Sequence, residues 1–82
     1  MKTQRELLAE HGIDHDEYEV FLSEADHLDE ETTGIMVRQV STGKQREKTV
    51  YMSRRQLAEE KEPKNTYIDT IVELVRELES ES

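Results

Sequence analysis

From Asn65 to Glu81 the apolar residues recur every three or four positions, with Ile68, Ile71, Val72, Val75 and Leu78 on one stripe and Tyr67 and Leu74 flanking it. This spacing predicts an amphipathic helix starting near Asn65 or Thr66, which has to bury its stripe against the rest of the chain. Covering residues are scarce. Only 33% of the 82 residues are hydrophobic, and the aromatics are Tyr18, Phe21, Tyr51 and Tyr67. Domains this small bury roughly 60% of the surface their unfolded chain exposes, so the core is thin and a shared dimer core would help. One domain over residues 1–82 is the most such a chain builds.

The best partner for the helix lies in the middle of the chain. "GIMVRQV" and "EKTVYMS" read as two strands joined around "STGKQR", which predicts an antiparallel hairpin. Ile35, Val37 and Gln39 share one face of it, while Met36, Arg38 and Val40 share the other, so both faces are expected to be partly covered. After it, "SRRQLAEE" forms a short helix with Ser53 and Gln56 as a capping box, ended before Pro63.

Upstream, Thr3 and Glu6 form a capping-box pattern and Gly12 sits where a first helix ends. In "IDHDEY", Asp14 is an N-cap with Glu17 at the third helical position, and Ile13 and Tyr18 are a staple pair. Tyr18, Phe21, Leu22, Ala25 and Leu28 then recur at helical spacing, so a second helix is favoured there. The same letters permit a strand, with Tyr18, Val20 and Leu22 on one face, but that puts Phe21 among the polar residues. The expected fold is therefore α+β, a single small domain. In it an antiparallel β-hairpin packs with the N-terminal helix or helices and the C-terminal amphipathic helix, a three-stranded sheet being the alternative. The 79–82 tail, "ESES", is expected to fray.

With no Cys there is neither a disulfide framework nor a thiolate metal site. The charged N-terminal "MKTQRELLAEHG" lacks the apolar centre of a signal peptide, and no run approaches the ~20 apolar residues of a membrane span. A soluble, cytoplasmic protein is expected.

Charge is distributed unevenly. The formal net charge is -9, from 11 Lys and Arg against 20 Asp and Glu. Residues 1–13 are neutral, 14–31 carry -9 with no basic residue, 32–64 carry +4, and 65–82 carry -4. In the last segment Asp69, Glu73, Glu77 and Glu81 stand at four-residue intervals, about 6 Å apart along a helix. Like charges this close destabilise a helix by a few tenths of a kcal/mol per pair. Such acidity works against binding bare nucleic acid or an anionic membrane and favours a basic partner. The basic middle, with Arg38, Lys44, Arg46, Lys48, Arg54 and Arg55, is expected to pair with the acidic helices, within a chain or across a dimer.

Other chemistry is poorly supported by the residues. His11 and His15 have the four-residue spacing of a helical metal pair, but Gly12 lies between them at a helix end; together with His27 they are read as solvent-exposed, with no metal. A calcium loop counted from Asp29 puts Val40 where a bidentate Glu belongs. There is no G-x-S-x-G and no glycine-rich phosphate loop, so neither an enzyme nor a cofactor is expected.

In size, charge and charge layout the whole chain resembles the small acidic DNA-mimic proteins that bacteriophages make against host nucleic-acid-binding proteins, inhibitors of the bacterial nucleoid protein HU among them. The resemblance implies an inhibitor that occupies the DNA-binding surface of a basic host protein, HU being the leading candidate, and displaces DNA. It also implies a homodimer that does not itself bind nucleic acid or membrane and works in the cytoplasm of an infected bacterium. The candidate contacts are Asp14, Asp16, Glu17, Glu19, Glu24, Asp26, Asp29, Glu30, Glu31, Asp69, Glu73 and Glu77. The alternative is a small interaction adaptor or transcriptional regulator, binding through its basic hairpin or through apolar surface such as Tyr67, Ile71 and Leu74.

Overall fold

The computed structural model describes residues 2–22, 32–61 and 64–81. Helix α1 spans Gln4–Glu10 and is followed by a single 3-10 turn, His15–Glu17. Strands β1 (Tyr18–Leu22), β2 (Thr33–Gln39) and β3 (Gln45–Val50) come next, then α2 (Arg54–Glu59) and α3 (Thr66–Ser80). Among the described residues the strands form one antiparallel sheet in the order β1-β2-β3. The fold is α+β.

The central strand sets the layering. Along β2 the buried Thr33, Ile35 and Val37 alternate with Gly34, Met36 and Arg38 on the opposite side, so one face of the sheet is apolar. The stripe of α3 lies on that face. Ile35, Val37, Ile71, Val75 and Leu78 are all completely enclosed, and Leu8 of α1, Ile13 and Tyr18 extend the same cluster. Each of these aliphatic side chains contributes on the order of 1.5–3 kcal/mol through burial. Leu74, placed on the flank by its spacing, is 1% exposed and belongs to the stripe itself.

Local chemistry bounds the helices. Thr3 Oγ1 accepts from the Glu6 N–H, Ser53 and Gln56 close a reciprocal capping box, and the Asn65 side chain accepts from the Ile68 N–H to start α3. Gly12 and Gly43 adopt φ of +75°, at the end of α1 and in the β2–β3 turn, where an L side chain would be strained. Of the 79–82 tail, Glu79 and Ser80 are helical.

One sequence expectation is overturned here. Tyr18–Leu22 is a strand, not the start of a second helix; Ala25 and Leu28, which completed the helical spacing, lie outside the described residues. Asp14 caps only the 3-10 turn, its carboxylate accepting from the Asp16 N–H at 2.9 Å, so Ile13 and Tyr18 meet in the core without a helix to staple. The reason is tertiary. As a strand the segment pairs all five residues with β2 and turns Tyr18, Val20 and Leu22 toward the helix layer. The cost is that Phe21 remains 41% exposed on the opposite face. A strand completing the sheet outweighs local helical spacing when most helical stability comes from packing.

Leu74→Ala is expected to lower the unfolding free energy by about 2–5 kcal/mol. Tyr51→Ala, at a position 85% exposed, should change it by less than about 0.5 kcal/mol. Urea unfolding followed by circular dichroism checks both, and an equally small effect at Leu74 would remove it from the core.

Candidate functional site

The acidic residues of the first segment that the structure describes fall on the 3-10 turn and on β1. Their environments differ. Asp16 is held by Arg5 from α1 in a two-pronged ion pair, at 3.0 and 2.8 Å. The hydrogen bonds and charge of Arg5 hold its carboxyl below the usual carboxylate range. Asp14 is engaged as the cap of the turn. Glu17 and Glu19 are exposed and form no ion pair among the described residues. Glu19 lies on the open face of the sheet, across from Arg38 in the register. Glu24, Asp26, Asp29, Glu30 and Glu31 lie outside the described residues.

The stripe on α3 does not stand free, because its basic partners come from β3. Arg46 and Lys48 occupy the helix-facing side of that strand, opposite Val37 and Ile35, where apolar residues would be expected. Their stems cover the core edge while the charged ends reach the helix flank. Lys48 Nζ meets Glu73 Oε2 at 2.7 Å, and Arg46 pairs with Glu81. The acidic rows read from the sequence therefore lose Glu73 to an internal pair, as the first segment loses Asp16. Asp69 sits in the first turn of α3, where a carboxylate is favoured by the helix dipole. Glu77 is exposed between the two paired glutamates.

A second acidic grouping forms around Tyr18. Its phenol is driven upward in pKa first by burial, then by the negative charges of Glu79 at the end of α3 and Glu17 of the 3-10 turn, with a hydrogen bond to Gln39 acting the other way. The charges of residues from the turn and from the last helix thus act on the same hydroxyl. Sequence spacing did not single out Glu79, because it lies off the four-residue row; its influence on Tyr18 depends on how α3 packs on the sheet.

The described residues suggest little other chemistry. No group of three His, Cys, Asp or Glu among them is arranged to hold a metal ion. His15 Nδ1 is buried without a hydrogen-bond partner, 4.0 Å from Asp16 Oδ1. A cavity of about 310 Å³ opens between Leu22, Leu57, Ala58 and Tyr67, with Glu60 at its wall. That carboxylate already accepts from both the N–H and the hydroxyl of Thr66, at 2.7 and 2.8 Å. Tyr67 is half-buried and donates to Gln4, while Ile71 and Leu74 are core residues, so of those three positions only Tyr67 reaches the surface, at the wall of this cavity. No helix among the described residues is long and apolar enough to cross a membrane. In comparisons with known proteins, the chain matches no family model, no curated protein and no solved structure.

Tyr67 supplies an internal control for the Tyr18 grouping, since its phenol is raised by burial alone. Glu79→Gln and Glu17→Gln are each expected to bring the Tyr18 pKa down toward the ordinary tyrosine value of 10.0 and to leave Tyr67 unmoved, as read by residue-resolved NMR titration. The linkage has a definite sign. A phenol raised in the folded state stabilises the fold fully below the unfolded pKa, and that contribution is lost as pH rises through the folded pKa. The alkaline loss of stability should accordingly shrink in Glu79→Gln. A Tyr18 titration that ignores both changes would place the carboxylates away from the hydroxyl.

Proposed function

We propose that this chain is an acidic DNA mimic that binds the DNA-contacting surface of a basic protein, the nucleoid protein HU being the leading candidate, and displaces duplex from it. The observation that supports this reading is a set of exposed carboxylates held on the scaffold, Glu17 on the turn, Glu19 on β1 and Asp69 and Glu77 on α3, with the charges of Glu79 and Glu17 both acting on the Tyr18 phenol. Duplex DNA carries one charge per about 1.7 Å of axis, and basic proteins bind it largely by releasing condensed counterions. A cluster of carboxylates on a rigid scaffold offers the same Lys and Arg side chains a sequence-independent target. No catalysis is required. Such an inhibitor would act in the cytoplasm of an infected bacterium.

The candidate contacts have unequal weight under this reading. Glu17, Glu19 and Glu77 lead, joined by Asp14, Asp69, Glu79 and the acidic residues between 24 and 31. Asp16 and Glu73 already face a cation, so a partner's charge gains less there. The basic residues fit the same picture. Arg46, Lys48 and Arg55 are each paired with a glutamate of their own chain, which takes three of the eight basic residues of the middle segment away from any phosphate.

Displacement of a fluorescent duplex from purified HU tests the proposal. The expected result is competition at low salt that fades as ionic strength rises. Glu17→Gln combined with Glu79→Gln should weaken competition by roughly 3–10-fold and flatten its salt dependence. Absence of displacement at every salt concentration would remove HU as the partner, and full competition by the double variant would move the contact elsewhere.

A further inference from the structure

β1 lies at the edge of the sheet, and the direction of its backbone groups follows from one hydrogen bond. The Val40 N–H donates to the Glu17 carbonyl at 3.0 Å, and these two residues continue the β1–β2 register by one step. In an antiparallel ladder hydrogen-bonded pairs alternate. Glu19 and Phe21 therefore bond to β2, while the N–H and C=O groups of Val20 and Leu22 point away from it, as does the Tyr18 carbonyl. The Tyr18 N–H is already satisfied by the His15 carbonyl. Among the described residues no strand pairs with this side of β1.

We propose that a second copy of this chain adds to this edge, antiparallel and centred on Val20, so that two three-stranded sheets become one. Each Val20 N–H then donates to the Val20 carbonyl of the other copy, and each Leu22 N–H donates to the other copy's Tyr18 carbonyl. The Tyr18 N–H is held by His15, so the Leu22 carbonyls at the two ends stay turned to solvent and four N–H···O bonds join the copies. Side chains agree with this register. On the helix side Val20 meets Val20 and Tyr18 meets Leu22; on the open side Glu19 faces Phe21, so no charge opposes its own kind.

The other edge shows why the choice falls on β1. The Gln39 N–H donates to the Lys44 carbonyl at 2.8 Å, which by the same alternation leaves Gln45, Glu47 and Thr49 pointing outward on β3. Two-fold pairing there would centre on Glu47, setting Glu47 against Glu47 and Arg46 against Lys48. Like charges directly opposite destabilise a pair, and charged edges are a common guard against strand addition. "YEVFL" carries no Lys, Arg or Pro, and its one charge, Glu19, faces Phe21 rather than itself in the register above.

Pairing of five residues lies at the low end of specific interfaces, below about 1,200 Å² in total, so the dimer should depend on concentration. Two chains of charge -9 also repel, and salt should therefore strengthen dimerisation, opposite to its effect on a basic partner.

Sedimentation equilibrium on the full chain, combined with amide exchange by NMR over a range of concentrations, tests the proposal. The expected mass rises from 9.6 kDa toward twice that value, more readily at higher salt. Protection of the Val20 and Leu22 amides should grow with concentration, while that of Glu47 and Thr49 does not. Val20→Pro removes only an outward N–H, a position where an edge strand tolerates proline, and should weaken association about 10-fold or more. A constant 9.6 kDa mass with Val20 and Leu22 exchanging freely would overturn the proposal. So would a dimer whose concentration-dependent protection lies elsewhere. If Val20→Pro does not fold, the wild-type amides alone decide.

Discussion

The fold depends on one contact, the apolar stripe of α3 against the single apolar face of the sheet. That face is supplied mainly by β2, whose Ile35 and Val37 are fully enclosed beneath Ile71, Val75 and Leu78. A chain with so few apolar residues cannot build a second layer of core on the far side of the sheet. Met36 is therefore only partly covered, and Phe21 beside it remains 41% exposed. Both neighbours of β2 adapt to this scarcity. β1 brings Tyr18, Val20 and Leu22 to the helix side, whereas β3 has only Val50 and fills the other positions with the stems of Arg46 and Lys48.

That substitution links stability to charge. A basic residue facing the helix layer has to keep its charged end near water or near an anion. The acidic flank of α3 supplies the anions, so Glu73 and Glu81 act as counterions to the sheet. Exposed pairs of this kind contribute at most about 1 kcal/mol each. Their larger consequence is spatial. Positive charge from the middle of the chain is drawn to the β3 side of α3, while on the β1 side the charges of Glu79 and Glu17 act on the Tyr18 phenol.

Features whose cause is local were legible in the sequence. The Ser53–Gln56 box, the Asn65 start of α3 and the left-handed Gly12 depend on a few neighbouring residues and stand where their patterns put them, while the hairpin forms with its second strand at Gln45–Val50, earlier than the letters "EKTVYMS" placed it. β1 was not legible in this way. Its letters satisfy both periods, and the choice rests on an edge of β2 that lies more than ten residues away. The candidate site divides on the same principle. The acidic segments could be counted, but Asp16 bonding to Arg5 and Glu73 to Lys48 are tertiary events, as is the effect of Glu79 on Tyr18.

The two edges of the sheet show how the same residues serve different ends. On β3, charge alternates along a strand that already uses Arg46 and Lys48 to complete the core, and this sequence opposes its own copy in the register its backbone would require. On β1, the need for apolar side chains beneath the sheet leaves only Glu19 charged, so the strand that completes the core most fully is also the less guarded edge. Joining two copies there would lengthen the apolar layer without new apolar residues, which is how a chain with a thin core gains cover. It would also repeat the Glu17 and Glu79 grouping across a two-fold axis. Self-repulsion between those groups would limit the strength of the dimer, and the same doubled field would raise the attraction for a partner carrying rows of Lys and Arg. Dimer formation and partner binding would then respond to salt in opposite directions, because the first is opposed by charge and the second is driven by it.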